Sequence, residues 1–300
     1  GNGRILLGRD LGQLLSFAGV KRESFVDRGL QFERRKHDRG HYYFILNGGN
    51  DPIDGWVPLQ VGARSVAIFN PMVEERGLAA FRVNNNGVIE VYLQLAPGES
   101  CILKTFDTVV RGPLYGYFRT IGAPQKIPAV WSVRFVEGGP ELPTALETGE
   151  LGSWTNYGGE ALKKFSGTAR YTISFEKPEG AADGWLLDLG RVCESARVRL
   201  NGQDLGTLIK SPYQIRIPKN LLKEKNTLEI DVANLMANRV ADLDRRDVNW
   251  KKFYNINFPA RKNENRGADG LFNASRWLPR DSGLIGPVTI VPVESLKFDR

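Results

Sequence analysis

Apolar and polar residues alternate with a period of two along much of this chain, and that pattern is typical of half-buried β-strands. The alternation is most regular between residues 184 and 234, where the apolar positions are Trp185, Leu187, Leu189, Ala196, Val198, Leu200, Tyr213, Ile215, Ile217, Leu228, Ile230 and Val232. Asn201-Gly202 separates two of these runs, and both residues tolerate the positive φ that a two-residue hairpin requires. The stretch therefore predicts consecutive antiparallel strands of one β-sandwich sheet.

The same pattern elsewhere predicts an all-β chain of two β-sandwich domains, with turn residues between short strands. The first domain is expected at 29–137, with strands at 29–36, 40–47, 54–61, 64–69, 78–84, 87–95, 99–106 and 130–136. A crossover is expected at 107–128. The second domain is expected at 138–300, with strands at 160–165, 168–176, 185–190, 195–201, 206–210, 213–217, 227–233 and 286–293. The boundary falls in the turn residues 137–141.

Residues 1–28 show a different pattern. Arg4-Ile5-Leu6-Leu7 predicts a short strand, and Asp10 can cap a helix that ends at Gly19. The apolar residues of that helix share one face at helical spacing: Leu11, Leu14, Leu15 and Ala18. A single β-α unit cannot bury both faces by itself. It either packs on the following domain or belongs to a larger α/β body upstream.

Composition and charge exclude some partners. The chain has 41 Lys and Arg against 34 Asp and Glu, a net charge of +7. Because the charges are interspersed and no DNA-reading helix or RNA-binding signature occurs, we do not expect nucleic acid as a partner. No run approaches the roughly 18 apolar residues that a membrane helix needs, so we do not expect a membrane either.

The two cysteines and two histidines give little evidence for a reactive or metal site. Cys101 and Cys193 each lie in an apolar strand pattern, which predicts buried free thiols, with a disulfide between them as the open alternative. His37 and His41 flank a turn and are expected to face water or pack across it. Without Cys-x-x-Cys or a further histidine, zinc is not expected.

Several motifs carry a family resemblance. The strands and hairpin of 184–234, followed by Trp277-Leu278-Pro279 and the run Ser282-Gly283-Leu284-Ile285-Gly286-Pro287-Val288, resemble the galactose-binding-like jelly roll of bacterial glycoside hydrolases. The runs His41-Tyr42-Tyr43-Phe44-Ile45-Leu46-Asn47 and Leu95-Ala96-Pro97-Gly98-Glu99-Ser100 resemble the preceding β-domain of glycoside hydrolase family 106, the α-L-rhamnosidase-like enzymes. In the expected order, these motifs cover nearly the whole chain.

The resemblance implies that the chain is a carboxyl-terminal piece of such an enzyme, and that residues 1–28 are a β-α remnant of an upstream catalytic α/β barrel. The barrel would then be the chain's partner, with a rhamnose-containing glycan as a further candidate partner. A periplasmic or secreted location follows from the same resemblance. It also implies that a structural calcium ion is an option, held through carbonyls and one or two carboxylates that the sequence does not place. No other cofactor is expected.

Glycoside hydrolysis needs two carboxylates held roughly 5–10 Å apart, and the resemblance places that pair in the barrel. The acidic residues of the long polar segment after Asn234 show no spacing that marks such a pair: Asp242, Asp244, Asp247, Asp269 and Asp281. They are expected to be solvated or paired with arginine. We therefore predict no catalytic residue here and no activity for this chain alone.

The polar segment between Asn234 and Gly286 is the best candidate for a functional surface, because loops of that length are usually functional or interaction surfaces. It supplies flat apolar faces and planar polar groups, the mixture that binds sugars. The candidate carbohydrate-binding residues are Trp250, Tyr254, Asn257, Trp277, Arg280 and Asp281. Trp154 and Tyr157 are weaker candidates. The alternative is that the aromatic residues wedge against a neighbouring domain, and it is favoured because exposed aromatics also mark protein interfaces.

Three hypotheses for function follow. The chain is a non-catalytic accessory segment that supports the barrel and touches carbohydrate, an autonomous carbohydrate-binding module, or a purely structural or interaction protein. Glycan binding by this chain alone distinguishes the second hypothesis from the third.

Overall fold

The computed structural model describes residues 5–127, 130–251, 260 and 262–298. They divide into two compact units. The first unit runs to Tyr117 and takes in the chain again from Ser295, and the second is Phe118–Glu294. Both are built from antiparallel sheets, so the prediction of an all-β chain with β-sandwich domains is confirmed.

The first unit contains a short helix, a 3-10 turn and a series of strands. The helix is α1 (Leu11–Phe17) and the turn is Ser24–Arg28. The strands are β1 (Leu30–His37), β2 (Gly40–Asn47), β3 (Ile53–Leu59), β4 (Ser65–Asn70), β5 (Glu75–Leu78), β6 (Phe81–Val83), β7 (Ile89–Leu95) and β8 (Ser100–Phe106).

The strands of this unit form a sandwich. One sheet has the order β1-β2-β8-β4-β5 and the other has the order β3-β7-β6. The period of two sends alternate residues inward, as in β7, whose odd-numbered positions from Ile89 to Leu95 are buried while Glu90, Tyr92 and Gln94 are partly exposed. The core between the sheets includes Tyr43, Val57 and Leu103. Burial of each aliphatic side chain, such as Val57 or Leu103, stabilises the unit by roughly 1.5–3 kcal/mol.

The amino-terminal segment agrees with the prediction in part. Asp10 caps α1 by accepting from the Gly12 and Gln13 amides, at 2.8 and 3.2 Å. The predicted strand is wrong for its described residues, because 5–7 lie outside any strand. None of the residues of α1 is buried. The large apolar side chains exposed in this segment are Ile5, Leu6, Leu7, Leu11, Leu15, Phe17 and Val20.

The second unit contains more strands and two further helices. Its strands are β9 (Phe118–Thr120), β10 (Gln125–Lys126), β11 (Trp131–Gly139), β12 (Leu146–Thr148), β13 (Ser166–Glu176), β14 (Gly184–Asp188), β15 (Arg191–Cys193), β16 (Ser195–Leu200), β17 (Gln203–Leu208), β18 (Gln214–Pro218), β19 (Lys225–Ala233), β20 (Gly283–Gly286) and β21 (Thr289–Ser295). The helices are α2 (Glu160–Lys164) and α3 (Ala237–Arg245), with 3-10 turns at Trp154–Asn156, Lys219–Leu221 and Asn263–Asn265.

Strands that follow one another between 184 and 234 do not all lie in one sheet, which corrects the prediction. The strands β16, β17 and β19 belong to a sheet of order β12-β11-β13-β19-β16-β17. The strands β14 and β18 belong to a sheet of order β10-β21-β14-β18, with β9 also paired to β21. Residues of both sheets are fully buried between them, among them Leu187, Val198 and Ile230. Two sheets bury both sets of apolar faces, which one open sheet could not do.

The compact units divide between Tyr117 and Phe118, about 20 residues before the turn residues 137–141 where the sequence placed the boundary. The reason is that β11 is paired along its length with β13 of the second unit. The predicted strand at 160–165 is wrong, since α2 occupies Glu160–Lys164. Gly158 and Gly159 have φ of 93° and 81° and turn the chain into this helix.

Both cysteines are buried and free, as predicted. Burial raises the pKa of the Cys101 thiol to about 12, so it stays protonated at neutral pH. His37 packs across its turn, with its ring centre 4.7 Å from that of Tyr42 and its Nε2 3.2 Å from the Thr105 carbonyl. No helix in the described part of the chain is long and apolar enough to cross a membrane.

Candidate functional site

The structure describes four of the six candidate carbohydrate-binding residues. Tyr254 and Asn257 lie outside the described residues. Trp250, Trp277 and Arg280 belong to a cluster that also contains Lys251 and Phe272, and we call these five residues the aromatic–cation cluster. The carboxylate of Asp281 forms an ion pair with Arg191, 2.7 Å from oxygen to nitrogen.

The long segment that the sequence assigned to a loop contains α3. Asn238, Ala241 and Asp242 are its buried residues, which places them on one face at helical spacing. Asp242 accepts from Arg239 at 2.7 Å and from Arg246 at 2.9 Å, so ion pairs three and four residues apart stabilise the helix. This spacing is the signal in the sequence from which the helix could have been predicted.

Asn238 of α3 fixes the backbone of Arg280. The Arg280 amide donates to Asn238 Oδ1 at 2.7 Å, and Asn238 Nδ2 donates to the Arg280 carbonyl at 2.9 Å. With only 3% of Asn238 exposed, the two hydrogen bonds are shielded from water and hold one residue at both its backbone groups. The Arg280 side chain is exposed, but these hydrogen bonds fix the backbone from which it extends.

Asp244 connects three parts of the segment. Its carboxylate accepts from Trp250 Nε1 at 2.7 Å and from the Ala274 amide at 2.7 Å, and it lies 3.1 Å from Lys251 Nζ. Only 4% of this side chain is exposed. Asp244 therefore sets the orientation of the Trp250 ring and ties it to the chain that leads into Trp277.

Trp277 is held through its indole nitrogen and its carbonyl. Its Nε1 donates to Asn265 Oδ1 at 2.8 Å, and its carbonyl accepts from Arg245 of α3. The Phe272 ring meets the Trp277 ring nearly edge-on, with centres 5.5 Å apart. Because the indole N–H is already bonded, the half-buried ring is left as an apolar surface with a fixed orientation.

Two cations lie over the rings of the cluster. The Arg280 guanidinium is 5.5 Å from the centre of the Trp277 ring. Lys251 Nζ is 5.5 Å from the centre of the Trp250 ring and 6.0 Å from that of Phe272. These distances are within the range of cation–π attraction. The arrangement combines flat apolar faces with hydrogen-bond donors, which suits binding of a sugar ring.

The carboxylates of this segment are committed to other groups. Asp242 and Asp281 form ion pairs with arginine, as the sequence predicted for the acidic residues here. Asp269 accepts from the Leu271 amide at 2.9 Å, within a turn. A hydrolytic pair needs one carboxyl group to give a proton and another to act as base or nucleophile, and the absence of such a pair from this segment stays a prediction.

Metal ligands do not cluster in the described residues, where no group of three or more His, Cys, Asp or Glu side chains could hold an ion. A calcium site of carbonyl oxygens with one or two carboxylates would not need such a group. The calcium ion therefore stays a prediction without assigned ligands.

Two other predicted aromatic candidates have a structural role. Trp154 is fully buried, with its ring centre 5.5 Å from Phe135 and 5.8 Å from Phe165, so it cannot face a ligand. Tyr157 donates to the Glu150 carbonyl at 3.1 Å. Trp185 is 1% exposed, as expected for a core residue.

A separate cleft of about 510 Å³ lies elsewhere on the second unit. Its apolar floor includes Ile127, Phe175 and Ile290, and Lys126 and Lys225 are among its polar lining. None of the predicted site residues lines it, and it presents one aromatic ring. It fits the sugar-binding pattern less well than the aromatic–cation cluster.

Comparison with known proteins connects this fold to glycoside hydrolases. No protein-family model matches the chain. A putative β-glucuronidase of Formosa agariphila is 31% identical over 191 residues, which are 57% of this chain and 16% of that protein. The structure of a rhamnosidase from Novosphingobium sp. PP1Y matches 97% of this chain and 27% of its own, with a TM-score of 0.68 and 24% identity. The chain thus spans a small part of each protein's length, and its β-sandwich architecture is similar to a segment of a glycoside hydrolase.

Proposed function

We propose that this chain is a non-catalytic segment of a glycoside hydrolase of the α-L-rhamnosidase-like kind, which supports a catalytic barrel and contacts carbohydrate through the aromatic–cation cluster. The observation that carries the proposal is the match of nearly the whole chain to about a quarter of a rhamnosidase. In such a protein the remaining length has room for a catalytic domain.

The aromatic–cation cluster supports the carbohydrate contact. Sugars bind to proteins by stacking an apolar ring face on an aromatic side chain while neighbouring polar groups bond to the hydroxyls. Trp277 offers a face whose N–H is already bonded to Asn265, and Arg280 offers donors at its edge. Hydrogen bonds hold the Trp277 indole and the Arg280 backbone, so less entropy is lost when a ligand orders this surface.

The exposed apolar residues of the amino-terminal segment support the proposed role of holding a catalytic barrel. Leu7, Leu11 and Phe17 are more than two-thirds exposed, and helices of this kind normally bury such a face. A barrel of the parent enzyme would supply the apolar surface that these residues lack within their own unit. A periplasmic or secreted location belongs to the same proposal, since polymeric glycans are encountered outside the cytoplasm.

The non-catalytic role is tested by incubating the purified chain with aryl α-L-rhamnosides and aryl β-D-glucuronides. We expect no release of the aryl group, because the proposal places the catalytic carboxylates in the barrel, and Asp242, Asp244, Asp269 and Asp281 are engaged by basic side chains or backbone amides. Turnover that grows with protein concentration and survives repurification would overturn this part of the proposal.

The glycan contact is tested by calorimetric titration of the chain with rhamnogalacturonan oligosaccharides. Trp277→Ala should weaken binding by about 1–3 kcal/mol, the usual cost of removing a stacking aromatic from a binding surface. Phe44→Ala is the matched control, since Phe44 is an exposed aromatic residue of the other unit. Equal losses in the two variants would contradict a site at the cluster.

A further inference from the structure

The cations around the aromatic–cation cluster differ in how they are neutralised. Arg239 and Arg246 share the Asp242 carboxylate, Lys251 is paired with Asp244 and Arg191 is paired with Asp281. The Arg245 guanidinium donates hydrogen bonds to the carbonyls of Ser275 and Trp277. Most positive charges near the cluster are thus already balanced or occupied by the fold itself.

Arg276 and Arg280 are the exception within the described residues of this segment, since the guanidinium of neither has a carboxylate or a carbonyl partner there, whereas Arg245 and Arg266 bind carbonyls. Both are exposed and flank the half-buried Trp277 in sequence. Because most of the neighbouring charges are paired, these two arginines contribute excess positive charge to this part of the segment. Of the two, the Arg280 guanidinium lies beside an aromatic ring, that of Trp277, and an uncompensated guanidinium in such a place is suited to recognition of an anion.

The position of Arg280 defines the kind of anion. Its guanidinium lies over the Trp277 ring, and its backbone is held on both sides by the buried Asn238 amide. Guanidinium N–H donors lie in the plane of the group. The cation–π contact leaves the N–H groups of the guanidinium available to a ligand, because it does not use them as hydrogen-bond donors. A carboxylate matches these donors, since it accepts two parallel hydrogen bonds from a guanidinium.

We propose that the surface formed by Trp277 and Arg280 binds an acidic sugar, a uronic acid whose carboxylate bonds to the Arg280 guanidinium while its ring packs on the exposed part of the Trp277 side chain. This inference rests on the proposed glycan contact and adds its substrate class. A neutral sugar would gain the stacking and hydrogen bonds from its hydroxyls, but no ion pair with the guanidinium.

The test compares two ligands that differ only at the carboxyl group, which is an anion in one and a neutral methyl ester in the other. Tri-galacturonate and its fully methyl-esterified form share ring and linkage, and each is titrated into the whole chain by NMR or calorimetry at low salt. We expect the acid to bind at least about tenfold more tightly than the ester, the usual effect of a hydrogen-bonded ion pair. Raising the salt concentration should reduce this preference, because exposed charges are screened.

Variants assign the preference to Arg280. Arg280→Gln should lose about tenfold in affinity for the acid and clearly less for the ester, so that the preference for the acid falls, while Arg280→Lys should recover part of the loss, since lysine keeps the charge but not the planar set of donors. Lys262→Gln is the matched control, because it removes one exposed charge from the same segment and should leave the ratio of affinities unchanged. Thermal unfolding of each variant verifies that it is folded.

Equal affinity for acid and ester, or an equal loss in Lys262→Gln and Arg280→Gln, would overturn the acidic-sugar inference. If Trp277→Ala then weakened both ligands alike, the proposed glycan contact would still stand. A folded chain that binds neither ligand would overturn the inference and the glycan contact together.

Discussion

At the scale of single residues, buried polar side chains organise the candidate site. Asp244 has almost no exposed surface, yet it accepts from an indole, a backbone amide and an ammonium group. A carboxylate in this position is stable only because its donors compensate for the water it has lost. The shape of the aromatic–cation cluster therefore depends on a residue that does not belong to it.

Asp244→Ala is expected to lower the free energy of unfolding by about 2–4 kcal/mol, because it leaves the Trp250 and Ala274 N–H groups without an acceptor and Lys251 without a counter-charge. Urea denaturation measures the loss, and the indole N–H resonance of Trp250 reports whether its hydrogen bond is gone. Glu179→Ala, at an exposed position of the same unit, is the control and should change stability by less than about 0.5 kcal/mol. A similar small effect of Asp244→Ala would contradict the role assigned to it.

At the scale of elements, turn chemistry determines where the second unit folds back on itself. Asn201 and Gly202 have φ of 53° and 82° and join β16 to β17, with Leu200 opposite Gln203. The Asn201 side chain also donates to the Leu221 carbonyl at 3.0 Å and accepts from the Thr227 amide at 2.9 Å. The hairpin is thereby joined to the beginning of β19.

Gly202→Ala should cost about 1–2 kcal/mol of stability, because an L-residue is strained at this positive φ. No atom lies within 4 Å of the added methyl group, so a clash would not contribute. Gly149→Ala is a matched control, since its methyl group also meets nothing within 4 Å and its φ is not in the left-handed region. Thermal denaturation of both variants measures the difference, and equal melting temperatures would contradict the argument.

At the scale of the whole molecule, the chain leaves its first unit at Tyr117 and returns to it after Glu294. The returning segment is anchored by Phe298, whose ring centre lies 5.8 Å from Trp56, 4.7 Å from Tyr92 and 5.2 Å from Tyr117. The Leu296 amide adds a hydrogen bond to the Tyr117 carbonyl at 2.9 Å. The carboxyl-terminal residues are thus part of the first unit's packing.

Phe298→Ala should destabilise the first unit by about 1–3 kcal/mol, since it removes a partly buried ring from several aromatic contacts. Lys297→Ala, at the exposed neighbouring position, should have little effect. Hydrogen exchange followed strand by strand is the measurement, and we expect faster exchange in β3 and β7. If exchange rose only in strands of the second unit, the assignment of the tail to the first unit would be wrong.

Part of the candidate site could be predicted from residue types alone. Aromatic side chains beside asparagine and arginine in a long polar segment pointed to Trp250, Trp277 and Arg280, and the structure brings these three into one cluster. Phe272 and Lys251 were missed, because they join the cluster through contacts with Trp277 and Trp250 that the residue types in the sequence do not reveal. Asp281 was included for its polarity, yet its ion pair with Arg191 is a contact between residues 90 positions apart in sequence.

The sequence by itself determined most of the long strands, the hairpin at Asn201-Gly202 and the cap of α1, because each depends on side chains within a few residues of one another. Only the tertiary structure decided which strands share a sheet, that β11 joins the second unit, and that Asn238 holds Arg280 over Trp277. Those arrangements depend on burying apolar faces and satisfying polar groups across long separations. A period of two marks an inward face but does not identify the face that it meets.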